Sequence, residues 1–162
     1  MDINGAWKST CKILLGREVG ELDDFSGYLS KYITLAGEQK SSISGKPIYS
    51  AANEICQGAR FIAYDELPQY GEIAAGSRLG INEIKDIDSV LDALREVFYY
   101  SGGVVLGNSS NVVDSDRCVD CTHVHKSRMI FEKSRYMAYS EQSRACEYVF
   151  GAQITGERGS GT

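Results

Sequence analysis

Between Ser115 and Phe150 the chain repeats one short phrase several times, which leaves few folds open to it. Ser127-Arg128, Ser134-Arg135 and Ser143-Arg144 each open a unit, and Asp116-Arg117 is a worn copy. A β-type run follows each opener: Cys118-Val119-Asp120-Cys121, Met129-Ile130-Phe131, Tyr136-Met137-Ala138-Tyr139 and Cys146-Glu147-Tyr148-Val149-Phe150. A unit this short cannot bury its own apolar face. Successive units must therefore stack or pair into a continuous sheet surface.

Two pairings compete. One is a β-solenoid, in which each strand stacks in parallel on its predecessor. The other is an antiparallel meander turning at Glu132-Lys133-Ser134 and Ser140-Glu141-Gln142-Ser143. Opener spacings of 11, 7 and 9 residues count against a strict solenoid, and the Asn-Gly and Asp-Gly signals of tight hairpins are missing here too. Stacked parallel coils are the preferred reading. With its "SRYMAYSEQSRACEYVFG" phrase, the stretch 104–151 resembles the broad class of β-solenoid repeat proteins. That resemblance implies an architecture and no activity. If side chains alternate as on a flat strand, Met129, Phe131, Met137, Tyr139, Cys146, Tyr148 and Phe150 point inward and the opener arginines lie at exposed bends.

The residues before the repeats read as mixed α and β, so the fold class expected is α+β. Leu22, Phe25, Tyr28, Leu29 and Tyr32 have helical spacing within Glu21–Tyr32, with Asp23 and Asp24 in the first turn. Cys11–Leu15 reads as a strand, and the polar run Gly37–Lys46 as a loop. Pro47-Ile48-Tyr49 and Ala59–Tyr64 read as short strands. Asp88 or Ser89 would cap a helix carrying Val90, Leu91, Leu94, Val97 and Phe98, ended by Ser101-Gly102-Gly103. This divides the chain into a region 1–101 closed by a capping helix, a β-repeat region 102–151, and a glycine-rich tail 152–162.

Charge narrows the partners. Residues 1–107 carry 15 acidic and 10 basic side chains, and residues 108–150 carry 6 of each, so neither part offers the positive surface a nucleic acid needs. No run approaches the length of a membrane span, and the start of the chain has no basic segment followed by an apolar one. Five scattered cysteines do not form a disulfide framework, and a cytoplasmic setting is expected.

One segment has ligand chemistry. Cys118, Cys121, His123 and His125 lie within eight residues, and thiolate and imidazole are the preferred donors to zinc. On a regular strand Cys121, His123 and His125 would share a face and Cys118 would point away. The competing reading makes the cysteines small buried hydrophobes. The tail after Phe150 supplies no apolar cap for the last β unit, and an uncovered sheet edge invites another chain. The expected function is therefore non-enzymatic, a structural or assembly protein pairing with itself or another protein through that edge. A zinc-binding module or zinc enzyme built on the Cys118–His125 segment is the alternative. A truncation before Ser143 is expected to abolish assembly and leave the N-terminal region folded.

Overall fold

The computed structural model of the protein describes residues 1–52, 60–76, 85–90 and 98–156. A helix α1 (Ile3–Leu15) opens the chain, with the Asp2 carboxylate accepting from the Gly5 N–H at 2.7 Å and Gly16 ending it in the left-handed conformation. The strand expected over Cys11–Leu15 is the last turn of this helix. Ala6, Trp7 and Cys11 form its inward stripe, while Ile13, Leu14 and Leu15 are exposed. The apolar run imitated a strand because it lies outside the buried stripe. A 3₁₀ turn (Leu22–Phe25) and the short helix α2 (Ser26–Leu29) occupy the helical segment expected from Glu21.

Strand β1 (Gly37–Lys40) pairs antiparallel with β2 (Pro47–Ser50), so the expected loop contains a strand and the turn of a hairpin. Strand β3 (Arg60–Ala63) leads into a 3₁₀ turn and α3 (Leu67–Gly76), and pairs in parallel with β4 (Tyr99–Gly102). Ser101 and Gly102 thus belong to a strand and not to a helix end. Residues 87–90 are helical, and the cap is Asp86, whose carboxylate accepts from the Ser89 N–H at 2.8 Å. The rest of that expected helix, including Leu91, Leu94 and Val97, lies outside the described residues.

The remaining strands form a parallel β-solenoid of about four turns. In chain order they are β5 (Val105–Leu106), β6 (Ser110–Val113), β7 (Asp116–Val119), β8 (Thr122–His125), β9 (Arg128–Phe131), β10 (Arg135–Ala138), β11 (Glu141–Arg144), β12 (Glu147–Phe150) and β13 (Gln153–Thr155). Odd-numbered strands stack into one sheet in the order β13-β11-β9-β7-β5, and even-numbered ones into a facing sheet, β12-β10-β8-β6. Every pairing is parallel, which removes the meander. Ser110 aligns with Thr122, Thr122 with Arg135 and Arg135 with Glu147, giving turns of 12, 13 and 12 residues. The coil runs on into the stretch 152–162 expected as a tail, because Gln153–Thr155 adds another strand.

The true repeat is a triplet. From Asn111 to Ile154 a residue with positive φ recurs every three positions, with Glu132 and Lys133 sharing one such step. After each comes an inward side chain: Ser115, Cys118, Cys121, Val124, Ser127, Ile130, Ser134, Met137, Ser140 and Ser143 are all buried. A left-handed residue in mid-strand breaks the alternation of a flat strand, and this corrects the expected inward column. Met137 and Cys146 belong to it, but Ile130 and Val149 replace Met129, Phe131 and Tyr148. Tyr139 and Phe150 pack outside the coil, against Leu22, Leu29 and Trp7.

Serines turn inward at the corners because each hydroxyl closes two hydrogen bonds. Ser127 Oγ donates to the His125 carbonyl at 2.9 Å and accepts from the Ser140 N–H at 3.1 Å. Ser115 Oγ accepts from the Ser127 N–H at 3.0 Å. On the other edge Ser109, Cys121, Ser134 and Cys146 alternate, with the Cys121 and Cys146 N–H groups donating to the serines before them. Ser143, read as an opener, is instead an interior strand residue aligned with Ile130.

Candidate assembly edge and the Cys118–His125 segment

At both ends of the coil the outermost strands, β5 and β6 at the first turn and β12 and β13 at the last, pair on one side only among the described residues. At the first turn the N-terminal region closes in. The Gly103 N–H donates to the Tyr49 carbonyl at 2.7 Å, and a Cβ at Gly102 would meet that oxygen at the same distance, so only glycine fits. The buried Asp116 carboxylate accepts from Ala51 N–H at 2.7 Å and Val104 N–H at 2.8 Å. Val105 and Val112, the interior residues of the first turn, face a groove of ≈ 440 Å³ whose other wall is Lys46–Tyr49 and Ala63–Asp65.

At the last turn, β12 and β13 each pair on one side only among the described residues. The Arg135 N–H donates to the Cys146 carbonyl at 3.0 Å, and the Glu141 N–H to the Ala152 carbonyl at 2.9 Å. In a parallel ladder this directs the N–H groups of Glu147 and Gln153 to the far side, at the open edge. The interior there ends in Cys146 and Val149, both partly buried, and in Thr155, whose hydroxyl lies 2.6 Å from that of Ser143.

Along the outer face of the even-numbered sheet runs a ladder of left-handed residues. The Asn111 amide meets His123 Nε2 at 3.3 Å, His123 stacks on Tyr136 at 4.9 Å, and Tyr136 stacks on Tyr148 at 4.9 Å. That spacing is the distance between neighbouring strands. Tyr148 is the last ring, 41% exposed, with no ring beyond it among the described residues. Sequence reasoning missed this ladder because its members are spaced by a full turn of the coil.

The Cys118–His125 segment does not gather its four side chains. Cys118 and Cys121 pack together in the interior, completely buried. A hydrogen bond to Cys121 and burial push the Cys118 thiol well above its ordinary range. His123 and His125 lie on the outside of the sheet because His123 takes the left-handed step and Val124 turns inward. His123 Nδ1 is buried with no hydrogen-bond partner among the described residues. His125 Nε2 contacts Asp23 at 3.0 Å. Among the described residues no group of three or more His, Cys, Asp or Glu side chains stands together as a metal site would require. The described cysteines, Cys11, Cys118, Cys121 and Cys146, are all free thiols. No helix among the described residues is long and apolar enough to cross a membrane.

The fold defines the chain as a β-solenoid protein with an α+β cap. Comparison with family models, curated proteins and solved structures finds no match.

Proposed function

We propose that this is a non-enzymatic assembly protein that associates through the last turn of its solenoid. The reading rests on the last turn, where β12 and β13 have partners on one side only among the described residues and the Glu147 and Gln153 N–H groups face outward. An open edge offers a row of backbone donors and acceptors, and added strands bind such rows through main-chain hydrogen bonds. Free thiols and the lack of a basic surface support a cytoplasmic setting with a protein partner.

Replacing Gln153 by proline removes one outward N–H and leaves the bond between Glu141 and Ala152 in place. Light scattering at two concentrations is expected to show association in the wild type and its loss in Gln153→Pro. Equal association in both would remove the edge from the account.

A further inference from the structure

We propose that Cys118 and Cys121 form a redox-active dithiol, which a hydroperoxide closes to a disulfide inside the coil. The inference goes beyond the assembly reading and does not rest on it. In Cys118-Val119-Asp120-Cys121 two residues separate the thiols. Cys118 is an inward residue of β7, and Cys121 is the inward residue of the corner leading into β8. Between them Asp120 takes the left-handed conformation, φ 52°, and turns the chain so that both side chains enter the interior. There the two thiols are hydrogen-bonded to each other and completely buried. Cys146 stands in the same corner column as Cys121, but Ser134 lies between them, and Cys118 aligns with Val105 and Ile130 on the neighbouring strands. Among the described residues this leaves Cys118 and Cys121 as each other's partners.

The two thiols have different surroundings. The Cys121 sulfur lies 3.7 Å from the Ser109 hydroxyl, and the Cys121 N–H donates to the same oxygen at 3.1 Å. Ser109 is partly exposed and belongs to the first turn, whose strands pair on one side only among the described residues. Local opening of an outer turn costs less than opening the interior, so a small oxidant reaches Cys121 before Cys118. Cys118 is set deeper, among Ile130 and Met137. The bond from Cys118, then the one from Ser109, hold the Cys121 thiol below its ordinary value against the effect of burial. Cys121 is thus the attacking thiolate and Cys118 the resolving thiol.

The chemistry balances with hydrogen peroxide as the oxidant. The Cys121 thiolate attacks one peroxide oxygen, the O–O bond breaks, and a sulfenic acid forms as hydroxide leaves. That hydroxide takes up the proton Cys121 had lost and becomes water. The Cys118 sulfur then attacks the Cys121 sulfur. The S–S bond forms, the S–O bond breaks, and the departing hydroxide leaves with the Cys118 proton as a second water. Two electrons pass from the sulfur pair to the peroxide.

Peptide mapping of the full chain tests this. Reduced protein with native circular dichroism is treated with hydrogen peroxide, then unfolded, alkylated and digested with trypsin. Cleavage after Arg117 and Lys126 releases Cys118–Lys126, which carries both thiols. The expected result is loss of both labels from that peptide, with a mass lower by two hydrogens, and recovery of both labels when dithiothreitol precedes alkylation. In Cys118→Ala, trapping with dimedone is expected to mark Cys121, whereas in Cys121→Ala it should leave Cys118 unmarked. A folded wild-type chain that keeps both labels overturns the proposal, as does a disulfide that forms only in denaturant or joins either thiol to another cysteine. Dimedone on Cys118 in folded Cys121→Ala, with none on Cys121 in folded Cys118→Ala, overturns the assigned roles.

Discussion

Asp23 ties the N-terminal region to the coil. Its carboxylate accepts from the Tyr139 hydroxyl at 2.5 Å and meets His125 Nε2 at 3.0 Å and Lys126 Nζ at 3.4 Å. The Tyr139 bond first, then His125 and Lys126, hold the Asp23 pKa below the ordinary carboxylate value despite an opposing effect of burial. A carboxylate with a lowered folded pKa contributes stability above its unfolded pKa of about 3.9, and loses it as pH falls through the folded value. Tyr139 moves the other way. Burial, then the bond to Asp23, raise its pKa, so its contribution is full below about pH 10 and is lost above it. Unfolding midpoints measured across pH are expected to fall at both extremes. Asp23→Asn should flatten the acid limb, and an unchanged limb would remove Asp23 from the account.

Two arginines that look alike in sequence have different surroundings. Arg128 donates to Glu141 at 3.0 Å and to the Ala51 carbonyl at 3.3 Å, and its side chain is 12% exposed. Arg135 faces solvent. Breaking the first pair leaves a buried carboxylate, so Arg128→Ala is expected to cost about 3–5 kcal/mol. Arg135→Ala should stay within about 0.5 kcal/mol. Equal costs in chemical denaturation would contradict the burial of the Arg128–Glu141 pair. The expectation of exposed bends fails at Arg128 because residues 33–36 and 51–52 fold over that sheet. The Thr34 N–H, for example, donates to Glu141 at 3.1 Å, and no local pattern announces such a long-range cover.

At the scale of the element, the triplet explains both what could be read and what could not. The Ser-Arg openers and the β-type runs after them are visible as a repeat in the sequence, and the inability of one unit to bury a face alone points to stacking. The spacing of the opener arginines hides the phase, because the inward corner serine sets the step. Ser143-Arg144 is out of phase for that reason. Strand alternation also fails, since a left-handed residue recurs at every third position and carries no sequence mark when it is Met129, Tyr136 or Ala145. These conformations cost roughly 1–2 kcal/mol each for residues with a side chain. Ala145 is exposed and has φ 51°, so Ala145→Gly is expected to raise stability by up to about 1 kcal/mol despite the usual penalty of glycine. A loss of stability in denaturant would argue that the triplet conformation is not strained there.

At the scale of the whole molecule, cap and coil fold as neighbours. Trp7 of α1 packs against Phe150 with ring centroids 5.4 Å apart, and Leu22 and Leu29 cover Ala138 and Tyr139. A truncation before Ser143 removes Phe150 from the core under α1, so its effect on assembly is not separable from an effect on the N-terminal region. Point changes at the edge separate assembly from folding, as truncation does not. Two backbone groups, the N–H of Glu147 and of Gln153, face outward from the last turn. Amide hydrogen exchange at those residues, measured at low and high protein concentration, reports on them directly. Slower exchange at both positions as concentration rises, with the interior amides of β8 and β9 unchanged, is the predicted result; exchange at Glu147 and Gln153 that stays fast at every concentration, while the protein is seen to associate, would contradict it.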